Sequence, residues 1–459
     1  MKLTYNVQDR PKPVQILLFA LQQLLAILAA TIAVPTVINT WGTFPNPGMS
    51  QSAALLGAGV GTIVYLLFTK SKSPVFLGSS FAFLGSMAAA FGGAATASLG
   101  YLGILIGAAF AGLVYVVIAL VVKFVGTAWI DKIMPSVVIG PTVAIIGLSL
   151  AKNAIGDLSS AGATMPAANT YLCLLCGLVT LAVTIVCSVF GKKTLKMIPF
   201  IIGILAGYAL AAIFTGIGFA AKVDALKIID FSKFASMQWY PDVAFLKAFD
   251  GNYGDENIGA YIGTIAVAYI PVAFVVFAEH LADHKNISSI IETDLLKEPG
   301  LHRTLLGDGV GSIAGAFFGG CPNTTYGESI GCVAISGNAS IVTIWTTAIL
   351  AIIASFIAPF TTFLATIPSC VMGGVCIALY GFIAVSGLKM IQKVDLGDNR
   401  NLFVVSVILI AGVGGLQIVI GPVVITPVAC ALILGILVNL LVNIKKPAKE
   451  EATEEKTEE

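Results

Sequence analysis

Three carboxylates stand deep inside apolar runs of this chain: Glu279 in FAEHLADH, Asp308 in LLGDGVG and Glu328 in PNTTYGES. No Lys or Arg accompanies them in those runs. An ionised acid at the centre of a bilayer costs about 3 kcal/mol on insertion scales, so three such acids between residues 279 and 328 call for a purpose. A carboxyl group buried without a cation partner holds its proton more readily than one in water. Such acids are suited to taking up and releasing protons. A pocket lined by acids without fixed positive charge disfavours anions and suits cations, or neutral ligands with N–H donors. Each acid also has a plainer reading. Glu279 stands near the end of its run and could be interfacial, Asp308 could bond to neighbouring backbone, and Glu328 could be structural.

Other chemistry is weakly represented. His280 and His284 stand four apart, a spacing that places two metal ligands on one helix face, but no further His or Cys ligand follows nearby. We therefore expect no metal. The eight cysteines all lie in apolar runs and read as small packing residues, not as a disulfide framework. The segment GDGVGSIAGAFFGG lacks the Lys of a phosphate loop and has the small-x-x-x-small spacing of close helix contacts.

The surroundings of the acids are a membrane protein. Of 459 residues, 57% are hydrophobic and only 11% charged, against roughly 25% charged in a soluble domain; mean hydropathy is +0.95. A soluble enzyme could not cover its surface with this composition. The net charge of +1 has no basic stripe behind it, so nucleic acid is not an expected partner. Apolar runs of about 17–25 residues cross a bilayer as helices. Fourteen are expected, at 14–34, 52–69, 75–92, 100–122, 134–151, 170–190, 197–217, 259–280, 304–320, 321–337, 340–361, 366–388, 402–421 and 423–443. The polar start, residues 1–13, carries no sign of a cleaved leader. An even count puts both termini on one side. If that side is the cytoplasm of a cell membrane, 20 of the 25 Lys and Arg lie inside, the exceptions being Lys152, Lys222, Lys227, Lys233 and Lys247. Four of those five fall in one long extracytoplasmic loop, 218–258, so the positive-inside rule supports the orientation. The acidic tail, 444–459, is expected to be solvated and cytoplasmic.

An internal repeat organises the spans. MPSVVIGPTVAIIGLSL from Met134 and IPSCVMGGVCIALYGFI from Ile367 match at Pro135/Pro368, Ser136/Ser369, Val138/Val371 and Gly140/Gly373. These are the fifth and twelfth spans, so the unit is seven. Seven is odd, and the second copy must therefore run inverted across the membrane, as in many secondary transporters. A second pair shares the offset of seven spans. The third span begins SPVFLGSSFAF, with Gly78, Ser79 and Ser80; the tenth begins GGCPNTTYGES, with Pro322, Asn323, Thr324 and Thr325. Both are poor helix starts, because Pro lacks a donor and Ser, Thr and Asn compete for backbone bonds. Interrupted backbone at membrane depth survives only inside protein or beside a water-filled cavity, so a broken element in each half points to a midplane site. Its free amides and its acids together would suit a small heterocycle carrying both C=O and N–H.

The motif PVFLGSSFAFL, with AEHLADHKNISSIIETDLLKEPGLHR at 278–303 and GCPNTTYGESIG at 320–331, resembles the uracil permeases of the nucleobase–ascorbate transporter family. The resemblance runs from about residue 13 to residue 443, and the motifs are far more specific together than singly. It implies an all-α membrane fold of fourteen spans in two inverted sevens, with short strands in spans three and ten. It implies a core domain (14–122 and 259–361), a gate domain (134–217 and 366–443) and a homodimer. It implies uracil or a close nucleobase as substrate, with a symported proton and no cofactor; sodium is the alternative coupling ion. Carried over by motif, Glu279 and Glu328 accept hydrogen bonds from the pyrimidine, the backbone amides of Phe81 and Gly327 meet its carbonyls, and the Phe81 ring packs on it. Ser80 belongs to the same break, Ala30 in AATIAVP lines the pocket, and Tyr326 is a weaker neighbour. Glu279, Glu328 and Asp308 are the candidate proton-coupling groups.

The chain departs from the uracil-permease pattern. Gln23 stands where those proteins usually have His, and Asp283 where a second His usually follows AEH, with His284 one position later. Ser329, Ser336 and Gly337 replace Asn, Thr and Arg of the signature that continues from Glu328. Asp308 stands where uracil permeases often have Asn and purine-transporting branches commonly have Asp. The expectation is a proton-coupled importer of uracil or a close nucleobase. The alternatives are a xanthine or other purine symporter on the same scaffold and, more remotely, a channel or a membrane enzyme.

Overall fold

A computed structural model describes residues 3–40, 47–192, 195, 198–254, 257–420 and 423–444. The acidic tail from residue 445 and the basic residues Lys193, Lys196, Lys445 and Lys446 lie outside them. Fourteen principal helices follow one another: α1 (Pro13–Thr40), α2 (Gln51–Phe68), α3 (Leu84–Gly92), α4 (Ala97–Val125), α5 (Ser136–Ser149), α6 (Thr170–Phe190), α7 (Pro199–Ala221), α8 (Ile258–Ile291), α9 (Leu301–Gly319), α10 (Gly327–Ser336), α11 (Ile341–Ser355), α12 (Ser369–Ile391), α13 (Asn399–Val413) and α14 (Pro427–Asn443). Among the described residues, eight helices are long and apolar enough to cross a membrane, counting α5 with the short helix after it. α11 and Ala358–Thr366, bent by 82° to each other, add a ninth if the pair is one broken span. The protein is a multi-pass membrane protein. Its long helices expose apolar stripes: α4 exposes Leu113, Val117, Leu120 and Phe124, and α6 exposes Leu175, Leu178, Ile185 and Val189. In water such stripes would drive aggregation; in lipid they are the solvated face.

The helices pack in two groups. In one, α2 lies along α9 and α11, and α4 along α9 and α8. In the other, α5 packs on α12 and α13, α6 on α7 and α12, and α13 on α14. Helices α1 and α8 touch members of both. The α2–α9 crossing is close because glycines face each other: a Cβ on Gly57 would sit 2.4 Å from the Gly315 carbonyl oxygen, and one on Gly319 would sit 2.7 Å from the Ala53 oxygen. Asn323 closes this crossing by donating its Nδ2 to the Gly57 carbonyl at 3.0 Å.

Two short strands interrupt the first group. β1 (Leu77–Ser79) pairs antiparallel with β2 (Asn323–Thr325), in the register Leu77 with Thr325, Gly78 with Thr324 and Ser79 with Asn323. The free edge of β1 is held by Thr62, whose hydroxyl accepts from the Leu77 amide at 2.9 Å and reaches the Leu77 carbonyl at 3.1 Å. Buried backbone groups must find partners, and a polar side chain from α2 supplies them here. Beyond each strand the chain re-enters helix, at Phe81 and at Gly327.

Several boundaries differ from the expected spans. α8 does not end at residue 280 but continues to Ile291, because its polar stretch faces other helices rather than a membrane surface: His280 and His284 are fully buried. The tenth run, 321–337, is strand followed by a ten-residue helix. The runs 402–421 and 423–443 overshoot, since Ile418–Ile420 and Val423–Ile425 form a two-stranded pairing between α13 and α14. β-branched residues favour that extended state, and hydropathy alone does not distinguish it. All eight cysteines are free, and Cys187 alone among them is less than fully buried.

Candidate functional site

The two broken elements, α8 and α12 surround one cavity of about 280 Å³. β2 and the start of α10 contribute Thr324, Thr325, Tyr326, Gly327 and Glu328; the turn after β1 contributes Ser80 and Phe81; α8 contributes Glu279 and Asp283. Helices past the strands begin here, so their first amides lack intrahelical acceptors and are available to a carbonyl oxygen. Gly327 faces open space, with nothing within 4 Å of where a Cβ would stand. Tyr326 has a local role: its ring lies over Gly78, leaving no room for a side chain there, and its hydroxyl donates to the Ser79 carbonyl at 2.8 Å.

The cavity wall includes buried polar atoms without partners. Glu279 Oε2, Ser80 Oγ and Thr324 Oγ1 are buried and have no hydrogen-bond partner. A buried polar group left unpaired costs about 1–3 kcal/mol, so a wall with three of them is prepared for a ligand with both donors and acceptors. The Asp283 carboxylate accepts from the Thr325 hydroxyl at 2.7 Å. Among the described residues, no Lys, Arg or His lines the space. The opposite wall is largely apolar, with Val143, Phe200 and Phe382, and Phe81 meets Tyr380 of α12 edge to face at 5.4 Å between ring centroids.

The structure therefore gathers Glu279, Glu328, Phe81, Ser80, Tyr326 and Gly327 into one space. Ala30 is not in it. It is fully buried, and Ala26, one turn earlier on α1, lines the cavity instead. Asp308 is also outside, bonded through Oδ2 to His280 Nδ1 at 2.8 Å. Sequence reasoning placed Asp283 beyond the end of a span and so missed it as a cavity residue. The signal was its position four residues after Glu279, which on a continuous helix is the same face.

The departures at Gln23 and Ser329 meet each other. Gln23 Nε2 donates to Ser329 Oγ at 2.5 Å, and Ser329 Oγ accepts from the Phe76 amide at 3.2 Å. One altered pair thus ties α1 and α10 to the segment just before β1. Gly337 caps α10 with a φ of +66° and offers its carbonyl to the Thr4 amide at 2.7 Å.

A permease-family model matches residues 14–421. The uracil permease of Bacillus subtilis (strain 168) is 38% identical over 446 residues, covering 95% of this chain and 94% of the relative. The uracil permease of Escherichia coli (strain K12) is 36% identical over 435 residues, covering 94% and 92%. The chain belongs to this permease family. As a permease it is a transport protein and not an enzyme. Among solved structures, the transmembrane domain of the cyanobacterial bicarbonate transporter BicA matches with a TM-score of 0.57 at 16% identity, covering 95% of this chain and 99% of that one. Murine Slc26a9, an anion transporter captured inward-facing, matches with a TM-score of 0.61 at 12% identity, covering 95% and 69%. The permease thus shares a fold with anion transporters, while its own cavity is lined by acids.

Proposed function

We propose that this permease imports uracil or a close nucleobase across the cell membrane by proton symport, with alternating access and both termini in the cytoplasm. The observation that carries the reading is that Glu279 and Glu328, from α8 and from the second broken element, line one base-sized cavity with no Lys or Arg among its described lining residues. Uracil offers two N–H donors and two carbonyls. Glu279 and Glu328 accept from the ring, the amides of Phe81 and Gly327 donate to its carbonyls, Phe81 packs on its face, and Ser80 completes the polar wall. The relatives named uracil permease supply the substrate class.

In this reading the eight long helices, the bent pair, the short helices α3, α13 and α14, and the two that flank β2 make fourteen spans in two inverted sevens. The group holding the strands is the core, the group around α5 and α12 is the gate, and the core moves against the gate. Glu279 or Glu328 takes up a proton on the outer side, the base docks, and inward opening exposes the acid to the higher cytoplasmic pH and releases both. A homodimer is the proposed assembly.

A second reading, a purine such as xanthine, is favoured by Asp283. It adds a third carboxyl to the cavity and hence an acceptor for a further N–H. Equilibrium binding of labelled uracil to the purified protein, competed by unlabelled thymine, cytosine, xanthine and hypoxanthine, decides between them. Displacement by uracil and thymine alone supports the pyrimidine reading. Displacement by xanthine supports the second, and no specific uracil binding contradicts the first.

A further inference from the structure

Helix α10 lines the cavity from its first residue to its last turn, through Gly327, Glu328, Gly331, Cys332 and Ile335. It is ten residues long, two of them glycine, and it packs on α1 and α8. A helix this short is marginal by itself, so whatever holds its two ends decides where that wall stands. The start is held by the strand pair and by the bond between Gln23 and Ser329.

The far end is held by the beginning of the chain. Residues 3–9 lie against the turn that joins α10 to α11. The Gly337 carbonyl accepts from the Thr4 amide at 2.7 Å and from the Tyr5 amide at 3.1 Å. In return the Ala339 amide donates to the Tyr5 carbonyl and the Ile341 amide to the Val7 carbonyl, each at 2.9 Å. The Ser340 hydroxyl donates to the Asp9 carbonyl at 2.6 Å, and Tyr5 and Asn338 form a parallel bridge. The segment has its own anchors. The Tyr5 hydroxyl donates to Gln15 Oε1 at 2.9 Å, and the Tyr5 ring meets Phe19 of α1 edge to face at 6.1 Å. Gln8 Nε2 donates to the Ser71 carbonyl, just past α2, at 3.2 Å. Leu3 and Val7 pack on the core.

Residue 337 has to be glycine for this contact. A Cβ there would stand 3.2 Å from Thr4 Oγ1 and 3.4 Å from the Thr4 nitrogen, and the φ of +66° is left-handed, a conformation that a side chain strains. The departure at Gly337 and the segment that rests on it therefore fit each other. A wall already in place binds more tightly than one that must be ordered by its ligand.

We infer that residues 3–9 are a positioning strap, which clamps the far end of α10 and so holds its cavity face, from Glu328 to Ile335, in place for the base. The inference rests on the nucleobase reading for its ligand and on the strap contacts for its geometry.

The test uses the purified full chain and two readouts: uracil affinity by calorimetry, and alkylation by N-ethylmaleimide followed cysteine by cysteine by mass spectrometry. Cys332 lines the cavity on α10 and is 4% exposed, whereas Cys173 on α6 and Cys376 on α12 are fully buried and do not line it. Replacing Thr4 and Tyr5 together by proline removes both donors to Gly337. Uracil binding should weaken about tenfold, within what two hydrogen bonds are worth. Alkylation of Cys332 should quicken by about the same factor, with Cys173 and Cys376 unchanged. Gly337→Val presses on the strap from the other side and should shift both readouts in the same direction; it decides the matter if the double proline variant does not fold. Tyr5→Phe keeps both amides and should stay near wild type. Unchanged uracil affinity in the double proline variant and in Gly337→Val overturns the strap, and so does an equal rise in alkylation at all three cysteines, which is general loosening. Wild-type protein that does not bind uracil overturns the uracil reading, and Cys332 alkylation then tests the clamp by itself.

Discussion

The two walls of the cavity are built from different chemistry. The wall of α8, β2 and α10 presents three carboxyls and unpaired hydroxyls; the wall of α5, α7 and α12 presents Val143, Phe200 and Phe382. A polar wall fixes a ligand by direction, because hydrogen bonds weaken steeply with angle. An apolar wall is nearly indifferent to sliding, because dispersion and burial have little directional demand. In the proposed transport cycle the difference gives holding to one helix group and movement to the other. The amides freed beyond β1 and β2 lie on the polar wall, where they are useful only if they keep their place relative to the ligand.

This contrast can be broken in four places. Glu279→Ala removes a charged acceptor from the polar wall and should weaken uracil binding about 100-fold or more, as charged hydrogen bonds are worth about 1.5–3 kcal/mol each and a second group is left unpaired. Calorimetry on purified protein measures this, and an unchanged affinity removes Glu279 from the site. Glu328→Gln keeps the shape but cannot exchange a proton. Gradient-driven uptake should fall roughly tenfold or more while binding changes less; undiminished uptake would show that Glu328 is not a coupling group. For Asp283→Asn, the Thr325 hydrogen bond survives and the carboxyl becomes an amide. The expected shift is about tenfold in the preference between uracil and xanthine, read by competition. On the opposite wall, Phe382 meets Phe200 edge to face at 5.8 Å. Phe382→Ala should change binding by about threefold only, with its larger effect on transport rate. A loss as large as that of Glu279→Ala would abolish the distinction between the walls.

How much of this was legible depended on whether a residue was unusual for its surroundings. Carboxyls in oil are costly, so Glu279, Glu328 and Asp308 stood out by type alone. Pro, Ser, Thr and Asn at the start of an apolar run announce broken backbone, and β1 with β2 lies at those positions. Apolar residues in an apolar chain carry no such mark, so Phe200 and Phe382 could not be distinguished from lipid-facing neighbours. The polar run after Glu279 looked like a helix leaving the membrane, because composition does not say whether polar groups face water or one another. In α8 they face Asp308, Thr304, Thr325 and Tyr65. Ala30 was displaced by one turn: depth along α1 is set by packing against α11 and α10, which the sequence of α1 does not contain.

Uptake of labelled uracil by wild-type protein in proteoliposomes, with the outside made more acidic than the inside, tests the central claim most directly. Coupling of base and proton at the acid-lined cavity predicts accumulation above the external concentration that collapses when a protonophore is added. Equal filling with and without the gradient would contradict it.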